Sequence, residues 1–473
     1  MSDDDVTAQH PDYSESADIW QMVTDAVAGE KQVKTSTTNY LPVPNASDKS
    51  PENQSRYGQY LIRAVFYGIT GRTLQTMIGA AFRKQPELEL SGSIQYAADD
   101  IDGGGISIYQ QSQMALSNVL QAGRAGLFVD YPTTPIGVSV ADKATGAFQA
   151  TVKLYPALSI TNWRTTKIAG KSVLSMVVLQ EQHEEAGEYA IERVAQYRVL
   201  RLTAAGYTQE VQRKVGEGWT IVEGPFFAKD SAGNPWREIP FTFIGAVNND
   251  PNIDRPPLQD IASLNVAHYR NSADYEESVF FVGQAQPWMA GLTVEWRDHL
   301  EAQKNIYFGS RAPILLPEGG SFGLAQAAAN SMAFEAMSHK EELMQAMGAR
   351  LLTPGGAVKT ATEAQGDSEA EHSVLSLAVS NVSEAYNRAL AWMALFNGDG
   401  DGLFTINQEF TRPTLDPNML AQLLSAVNSG KIPDSDFWRT LRKAGLIDEE
   451  KDDEMLKEEL ASQPSNIDLG EPV

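Results

Sequence analysis

The chain has 473 residues with 61 acidic and 37 basic side chains, giving a formal charge of −24. At ~150 residues per domain the length suggests about three domains, and a hydrophobic content of 42% is enough to form cores, which excludes global disorder. The acidic balance argues against ordinary duplex binding, which needs clustered Lys and Arg to replace phosphate counterions. The absence of cysteine excludes disulfides, thiolate zinc sites, iron–sulfur clusters and cysteine nucleophiles.

The opening Met1-Ser2-Asp3-Asp4-Asp5 has the wrong charge for a signal peptide, and no apolar run of 18 residues occurs. A soluble, intracellular chain without a membrane partner is expected. Residues 1–15 read as a polar, flexible tail. Ile19, Met22, Val23 and Val27 recur at helical spacing and predict a helix over 16–29. Residues 43–55 read as loop. From Arg56 to Lys84, Leu61, Val65, Ile69, Thr73, Met77 and Ala81 step along one face; Gly68, Gly71 and Gly79 weaken an unbroken helix and would let neighbours approach closely. A helix over 106–125 and a buried strand Leu127–Pro132 follow.

Residues 148–245 change character. Thr151–Tyr155, Val173–Leu179, Gln196–Leu202, Tyr207–Arg213 and Thr220–Val222 alternate Val, Tyr, Thr and Arg between glycines. They predict an antiparallel meander. Helix resumes after Pro256-Pro257, over 258–281. Residues 283–326 are irregular, with strand candidates at Asn305–Gly309 and Pro313–Pro317. A helix at 327–351 ends at Thr353-Pro354-Gly355-Gly356, and a long helix runs over 362–396 with Val374, Ala378, Val382, Ala389, Met393 and Phe396 on one stripe. That stripe could face a neighbour or the subunit's own core. Helices at 416–428, 434–445 and 449–461 complete an α+β chain.

The inventory of catalytic patterns is poor. Ala169-Gly170-Lys171-Ser172 resembles the end of a phosphate-binding loop, but Thr165 stands where that loop needs glycine, and a strand follows instead of a helix. It reads as a β-turn with Gly170 at positive φ. Asp102-Gly103-Gly104-Gly105 lacks the GxGxxG spacing and reads as a linker. Asn397-Gly398-Asp399-Gly400-Asp401-Gly402 resembles a calcium loop, yet Gln408 stands at the position that needs a bidentate carboxylate. It reads as a helix-to-strand turn. The six histidines (10, 183, 268, 299, 339 and 372) make no HxxxH pair; His268 and His372 read as packing residues. No catalytic, cofactor-binding or metal-ligating residue is assigned, and a structural or scaffolding role is favoured over an enzyme.

The order of elements carries more. A β-rich module is followed by a helix, a compact insertion, a return helix, a Pro-Gly-Gly break and a very long helix. This suits a stalk with a head. Local motifs add to it: Arg63-Ala64-Val65-Phe66-Tyr67 with Thr70-Gly71-Arg72-Thr73 and Ala81-Phe82-Arg83-Lys84; Gly123 through Pro132; and Asn248-Asn249-Asp250-Pro251 with Pro256-Pro257-Leu258 and Asn265 through Glu276. In these motifs, in order over about residues 16–397, the chain resembles the portal proteins of tailed bacteriophages, in a phage family formerly labelled only as a domain of unknown function.

The resemblance implies a portal-like architecture: a flexible tail (1–15), an α/β wing with the β-rich module (16–256), a stem helix (257–282), a small clip (283–326), a second stem helix (327–351), a tunnel loop (352–361), a long helix and wing return (362–410) and a helical crown (411–473), the last by position alone. Thr353, Gly355, Gly356, Lys359 and Thr360 would lie nearest DNA in the tunnel loop, Lys359 either touching phosphate or simply solvated. Trp288, Phe308 and Arg311 would be clip contacts to partners. The resemblance further implies a homo-oligomeric ring of about twelve copies with heterologous contacts that close. The ring would sit at one capsid vertex of a virion assembled in the bacterial cytoplasm. Its partners would be the terminase, then a head–tail adaptor, the capsid protein, and double-stranded DNA passing without sequence preference. The alternatives are another head–tail component, such as an adaptor or minor capsid protein, and a hydrolase with a non-obvious carboxylate site.

Overall fold

The computed structural model describes residues 5–131, 149–230, 232–283, 286–303, 316–325, 331–352, 373–408, 410, 417–448 and 451–462. The chain divides into two compact units, one ending at Ile406 and one starting at Asn407. It is α+β, with helices and antiparallel sheets in both short- and long-range pairings.

The first unit opens with a segment expected to be a flexible tail. Residues 5–10 instead lie against the β-meander. Val6 covers Met176, Val178, Tyr197 and Val199, the His10 N–H donates to the Thr161 carbonyl at 3.0 Å, and the His10 ring stacks on Trp163. His10 Nδ1 also accepts from the Asp12 N–H, so it caps α1 (Pro11–Ala28). A short α2 (Glu30–Thr35) follows. The periodic run beyond Arg56 is not one helix. It splits into α3 (Pro51–Arg63) and α4 (Ile69–Ala81), separated by a non-helical Ala64–Gly68 that leaves α3 in an extended conformation at Ala64. Gly71 does permit close approach: a Cβ there would sit 2.8 Å from the Val27 carbonyl of α1.

Beyond β1 (Glu87–Ser91), α5 (Ile108–Ala122) begins with a Ser107–Gln110 capping box and ends at a left-handed Gly123. β2 (Arg124–Asp130) is buried along almost its whole length, because it is the central strand of the order β3-β2-β9. β3 (Thr151–Pro156) lies on one side and β9 (Phe241–Gly245) on the other. Between them β4 (Ile160–Ile168), β5 (Lys171–Ala186), β6 (Ile191–Thr203), β7 (Gly206–Val215) and β8 (Gly218–Phe227) form the expected meander, with neighbours in chain order. The Ala169-Gly170 corner is the tight β4–β5 turn, with φ of 49° and 81°. The meander's inner face carries a polar knot. Glu181 accepts from Tyr155 OH, Gln196 Nε2 and Arg198 Nε at 2.6–2.7 Å. Burial pushes the Glu181 carboxyl up, but these bonds outweigh it and hold it below its ordinary value.

Next come α6 (Gln259–Val282), β10 (Gln286–Ala290), α7 (Val294–Gln303), β11 (Ser321–Ala325) and α8 (Met332–Leu352). Then α9 (Val374–Asn397) runs through the core, with Leu375, Ala378, Val382, Tyr386, Ala389, Leu390, Met393 and Phe396 all buried. The stripe whose partner the sequence left open therefore mostly faces the subunit's own interior, with Val374 at its start exposed. Asn381 and Asn387 of α9 bind the Gly245 carbonyl and both backbone groups of Phe404. They tie β9 and β12 (Asp401–Thr405) to the helix. The Gly-Asp-Gly-Asp-Gly run is the helix-to-strand turn, with Gly398 left-handed, and β12 pairs with the distant β1.

The second unit holds α10 (Pro417–Asn428), α11 (Asp434–Lys443) and α12 (Asp453–Ser462). Arg442 joins α11 to α12 through Asp453 and the Lys451 carbonyl. Met419, Leu424, Leu446, Met455 and Leu460 are exposed, and Leu456 is buried.

Candidate functional site

The α6–α8 hairpin is the element the sequence singled out, and it changes character along its length. Its root is buried. Leu258, Ile261, Ala262, Val266, Tyr269 and Ala273 are at most 4% exposed. Among them runs a polar stripe that apolar periodicity does not reveal: Asn265, His268 and Ser272, spaced i, i+3, i+7 on one helix face. Each meets the non-helical Ala64–Gly68 segment or its flank. Asn265 Oδ1 accepts from the Thr70 N–H (3.2 Å) and hydroxyl (2.9 Å), while its Nδ2 donates to the Tyr67 carbonyl. Ser272 Oγ accepts from the Val65 N–H and donates to the Val65 carbonyl. The Tyr67 ring lies 4.8 Å from that of His268. The stripe thus supplies the partners that a non-helical strip of backbone lacks internally, which is why α3 and α4 can part there.

The two helices are pinned to each other by His268 Nε2 with Glu341 (3.0 Å) and by Lys340 Nζ donating to Asn271. Met337 and Met344 are buried on either side of this pair. Past Ala273 no residue of α6 is buried. Nine further residues at ~1.5 Å each carry the helix about 13 Å beyond its root. Tyr60 and Arg63 of α3 reach Asp274 and Glu277 there, and Arg63 lies over the Phe280 ring.

The tip is apolar and open. Val279, Phe280, Phe281, Trp288, Val294, Leu324, Met332 and Phe334 are all exposed, Phe281 at 67% and Met332 at 74%. Exposed large side chains concentrated at one end of a hairpin mark an association surface. β10 and β11 pair antiparallel, so the insertion is closed at its neck by a two-stranded ribbon that the sequence reading did not place. Trp288 lies opposite Gly323 in that ribbon, and a Cβ on Gly323 would meet the indole at 2.6 Å. Glycine there lets the indole lie across the ribbon. Among the predicted site residues Trp288 is the one described, and it is exposed on β10. Phe308 and Arg311, with the two predicted strands at 305–309 and 313–317, lie outside the described residues except for the end of the second. So do Thr353, Gly355, Gly356, Lys359 and Thr360, and the start of the long helix before residue 373. The run Ser278-Val279-Phe280-Phe281-Val282 was the available signal for the tip: consecutive apolar residues break the one-face period of a partly buried helix.

The hairpin helices carry seven acidic side chains (Asp260, Asp274, Glu276, Glu277, Glu335, Glu341, Glu342) against Arg270, Lys340 and Arg350. Elsewhere, buried ionisable groups are held by structural bonds. Asp25 accepts from Gln21, Gln32, Ser36 and Tyr40. Arg124 lies against the Trp163 and Phe243 rings and donates to the carbonyls of Pro251 and Asn252. A cavity of about 1010 Å³ between α4 and α5 is lined by residues such as Leu74, Ile78, Gln110 and Met114, none of them ionisable. Among the described residues no group of three His, Asp or Glu is placed to hold a metal, and no helix is long and apolar enough to cross a membrane.

Residues 257–397, the stretch from the hairpin root to the end of α9, match the family described as a domain of unknown function (DUF4055). No curated protein matches the sequence. Solved structures with similarity include a chain from the virion of a native gene transfer agent particle. It has 14% identity over 87% of this chain and 97% of that one, with a TM-score of 0.40. Two others come from gene transfer agent necks. The neck of the empty particle, computed with C6 symmetry, gives 13% identity over 80% and 90%, TM-score 0.40. The neck of the native particle, computed with C12 symmetry, gives 11% over 79% and 89%, TM-score 0.38. Similarity at this level carries no argument about what this chain does.

Proposed function

We propose that the protein is the portal subunit of a tailed phage or phage-like particle. In this reading it is a non-enzymatic ring component at one capsid vertex through which DNA is packaged and ejected, and which docks a terminase and then head–tail connector proteins. The carrying observation is the α6–α8 hairpin: rooted in the wing by a satisfied polar stripe, and ending in a ribbon-closed insertion whose apolar side chains a single subunit leaves uncovered. Heterologous contacts that close into a ring of about twelve copies would cover such a tip on successive neighbours. The motif resemblance over residues 16–397 supports the same reading. Asp25, Glu181 and Arg124 are each engaged in structural hydrogen bonds. The exposed residues of α10 to α12 suit a C-terminal crown.

The acidic hairpin bears on how DNA is handled. Clustered basic residues would hold phosphates tightly, whereas an acidic wall repels the backbone and keeps a duplex centred. About twelve copies would carry roughly 290 negative charges, a self-repulsion that screening relieves. Assembly is therefore expected to strengthen from low to moderate salt. The decisive experiment is a negative-stain class average down the ring axis. A ring with a channel wide enough for duplex, ~20 Å or more, is expected. A stable monomer at micromolar concentration overturns the proposal, and a ring without such a channel favours an adaptor or minor capsid protein. ATPase or nuclease activity abolished by one carboxylate substitution overturns the non-enzymatic reading.

A further inference from the structure

We propose that His268 is a proton-sensitive latch at the hairpin root, closed when its ring is neutral and loosened when the ring is protonated. The inference rests on the fold and holds whether or not the chain is a portal. The His268 side chain is fully buried. Its Nε2 meets Glu341 Oε1 at 3.0 Å, which joins α6 to α8. Its Nδ1 is buried and has no hydrogen-bond partner among the described residues. That asymmetry sets the switch. In the neutral ring, Nε2–H donates to the Glu341 carboxylate and Nδ1 keeps only a lone pair, a tolerable vacancy for an acceptor. Protonation adds an Nδ1–H and a positive charge, and a buried charged donor without a partner costs more than a neutral acceptor left vacant.

The charged groups near the ring among the described residues are Glu341 and Lys340 of α8, and the neutral Tyr67 phenol ring lies against it. Burial lowers the ring's pKa most. The Glu341 bond and charge raise it and Lys340 lowers it, and the net direction is down. The sign follows. The unfolded or opened root binds a proton at the ordinary histidine value of about 6.5, and the closed root binds it only at lower pH. Stability of the closed root is therefore complete above that value, declines as pH falls below it, and stops declining once the pH is below the depressed value of the closed state. The loss concentrates where Asn265, Ser272 and the Lys340–Asn271 bond share the same backbone, so hairpin and wing loosen together.

Hydrogen exchange of the full-length protein between pH 7.5 and 5.0, above the ordinary carboxylate range and corrected for intrinsic rates, tests this. Protection in 259–273 and 334–348 should fall, by about tenfold for each pKa unit of depression, while the meander strands β5–β6 stay level. His268→Gln keeps a donor toward Glu341 but cannot titrate, so its hairpin protection should be flat with pH. Glu341→Gln removes the group that favours the charged ring, so the decline should extend to lower pH. The proposal is overturned if wild-type hairpin protection does not change with pH, or if His268→Gln retains the wild-type dependence. Should His268→Gln not fold, the ring can be titrated directly in wild type by ¹³C-histidine NMR. A His268 pKa at or above 6.5 rejects the latch, and one below it supports the latch.

Discussion

The two halves of α6 differ in what covers them. From Leu258 to Ala273 one face of the helix is buried, and even the polar residues of that face are spoken for: Asn265 and Ser272 complete the backbone of the Ala64–Gly68 segment. From Asp274 to Val282 it is at most half-buried, yet it ends in the exposed Val279, Phe280 and Phe281. The root is explained by the subunit's own folding. The tip is not, since Phe280 and Phe281 stay exposed even with Arg63 lying over the Phe280 ring. The root buries Tyr269 beside the hydrogen-bonded Asn265 and Ser272, whereas the tip exposes Phe280 and Phe281, so the two ends of one helix present opposite surfaces.

Substitutions can break or sharpen that contrast. The largest expected effect on the subunit is at Tyr269→Ala in the root. Removing a fully buried aromatic should lower unfolding stability by about 3–5 kcal/mol, read as a shift in urea midpoint at unchanged slope. Asn265→Ala should cost about 1–3 kcal/mol, because the Thr70 N–H and hydroxyl lose their acceptor in a buried place. Exchange at residues 64–72 should rise before the rest of the first unit responds. A smaller change is expected for Tyr269→Phe. The Tyr269 hydroxyl is buried without a partner among the described residues, so its removal should be neutral or stabilising by up to about 1 kcal/mol. A clear destabilisation would mean that a water or a neighbour satisfies it. Smallest of all for the subunit is Phe281→Ser at the tip. Thermal stability of the monomeric form should move by no more than about 0.5 kcal/mol, while ring formation by mass photometry falls sharply. If Phe281→Ser instead unfolds the subunit and leaves assembly intact, the division of α6 into a folding half and an associating half is wrong.

Acid should separate another pair of regions. The Glu181 carboxyl in the meander is held below its ordinary value by Arg198, Tyr155 and Gln196 against the opposing push of burial. It therefore contributes stability above the unfolded carboxylate value of about 4.3, and that contribution is lost as pH falls through its lower folded value. The hairpin root should loosen first, below about pH 6.5, and the meander only in stronger acid, a sequence that exchange at β5–β6 and α6 can read directly.

Sequence pattern alone determined the elements that are buried on one face. Alternation in Val173–Leu179, Gln196–Leu202 and Tyr207–Arg213 announced the meander, helical spacing announced α6 and α8, and Thr165 and Gln408 disqualified the two ligand-like loops before any fold was known. It missed β9, Phe241–Gly245, because that strand is buried throughout and a strand covered on both faces does not alternate. It ran α3 into α4 because the apolar step is continuous there. What ends the helix is a partner from residues 265–272, some two hundred positions away. The β1–β12 and β10–β11 pairings are likewise long-range, and local preference is silent about which distant strand will supply a ladder's partner. Tertiary structure alone also decided that the α9 stripe turns mostly inward, that residues 5–10 are pinned to β4, and that His268 is not mere packing but a buried bridge from α6 to α8. Periodicity reports how apolar a face is. Only the assembled fold fixes which polar groups are brought together inside it.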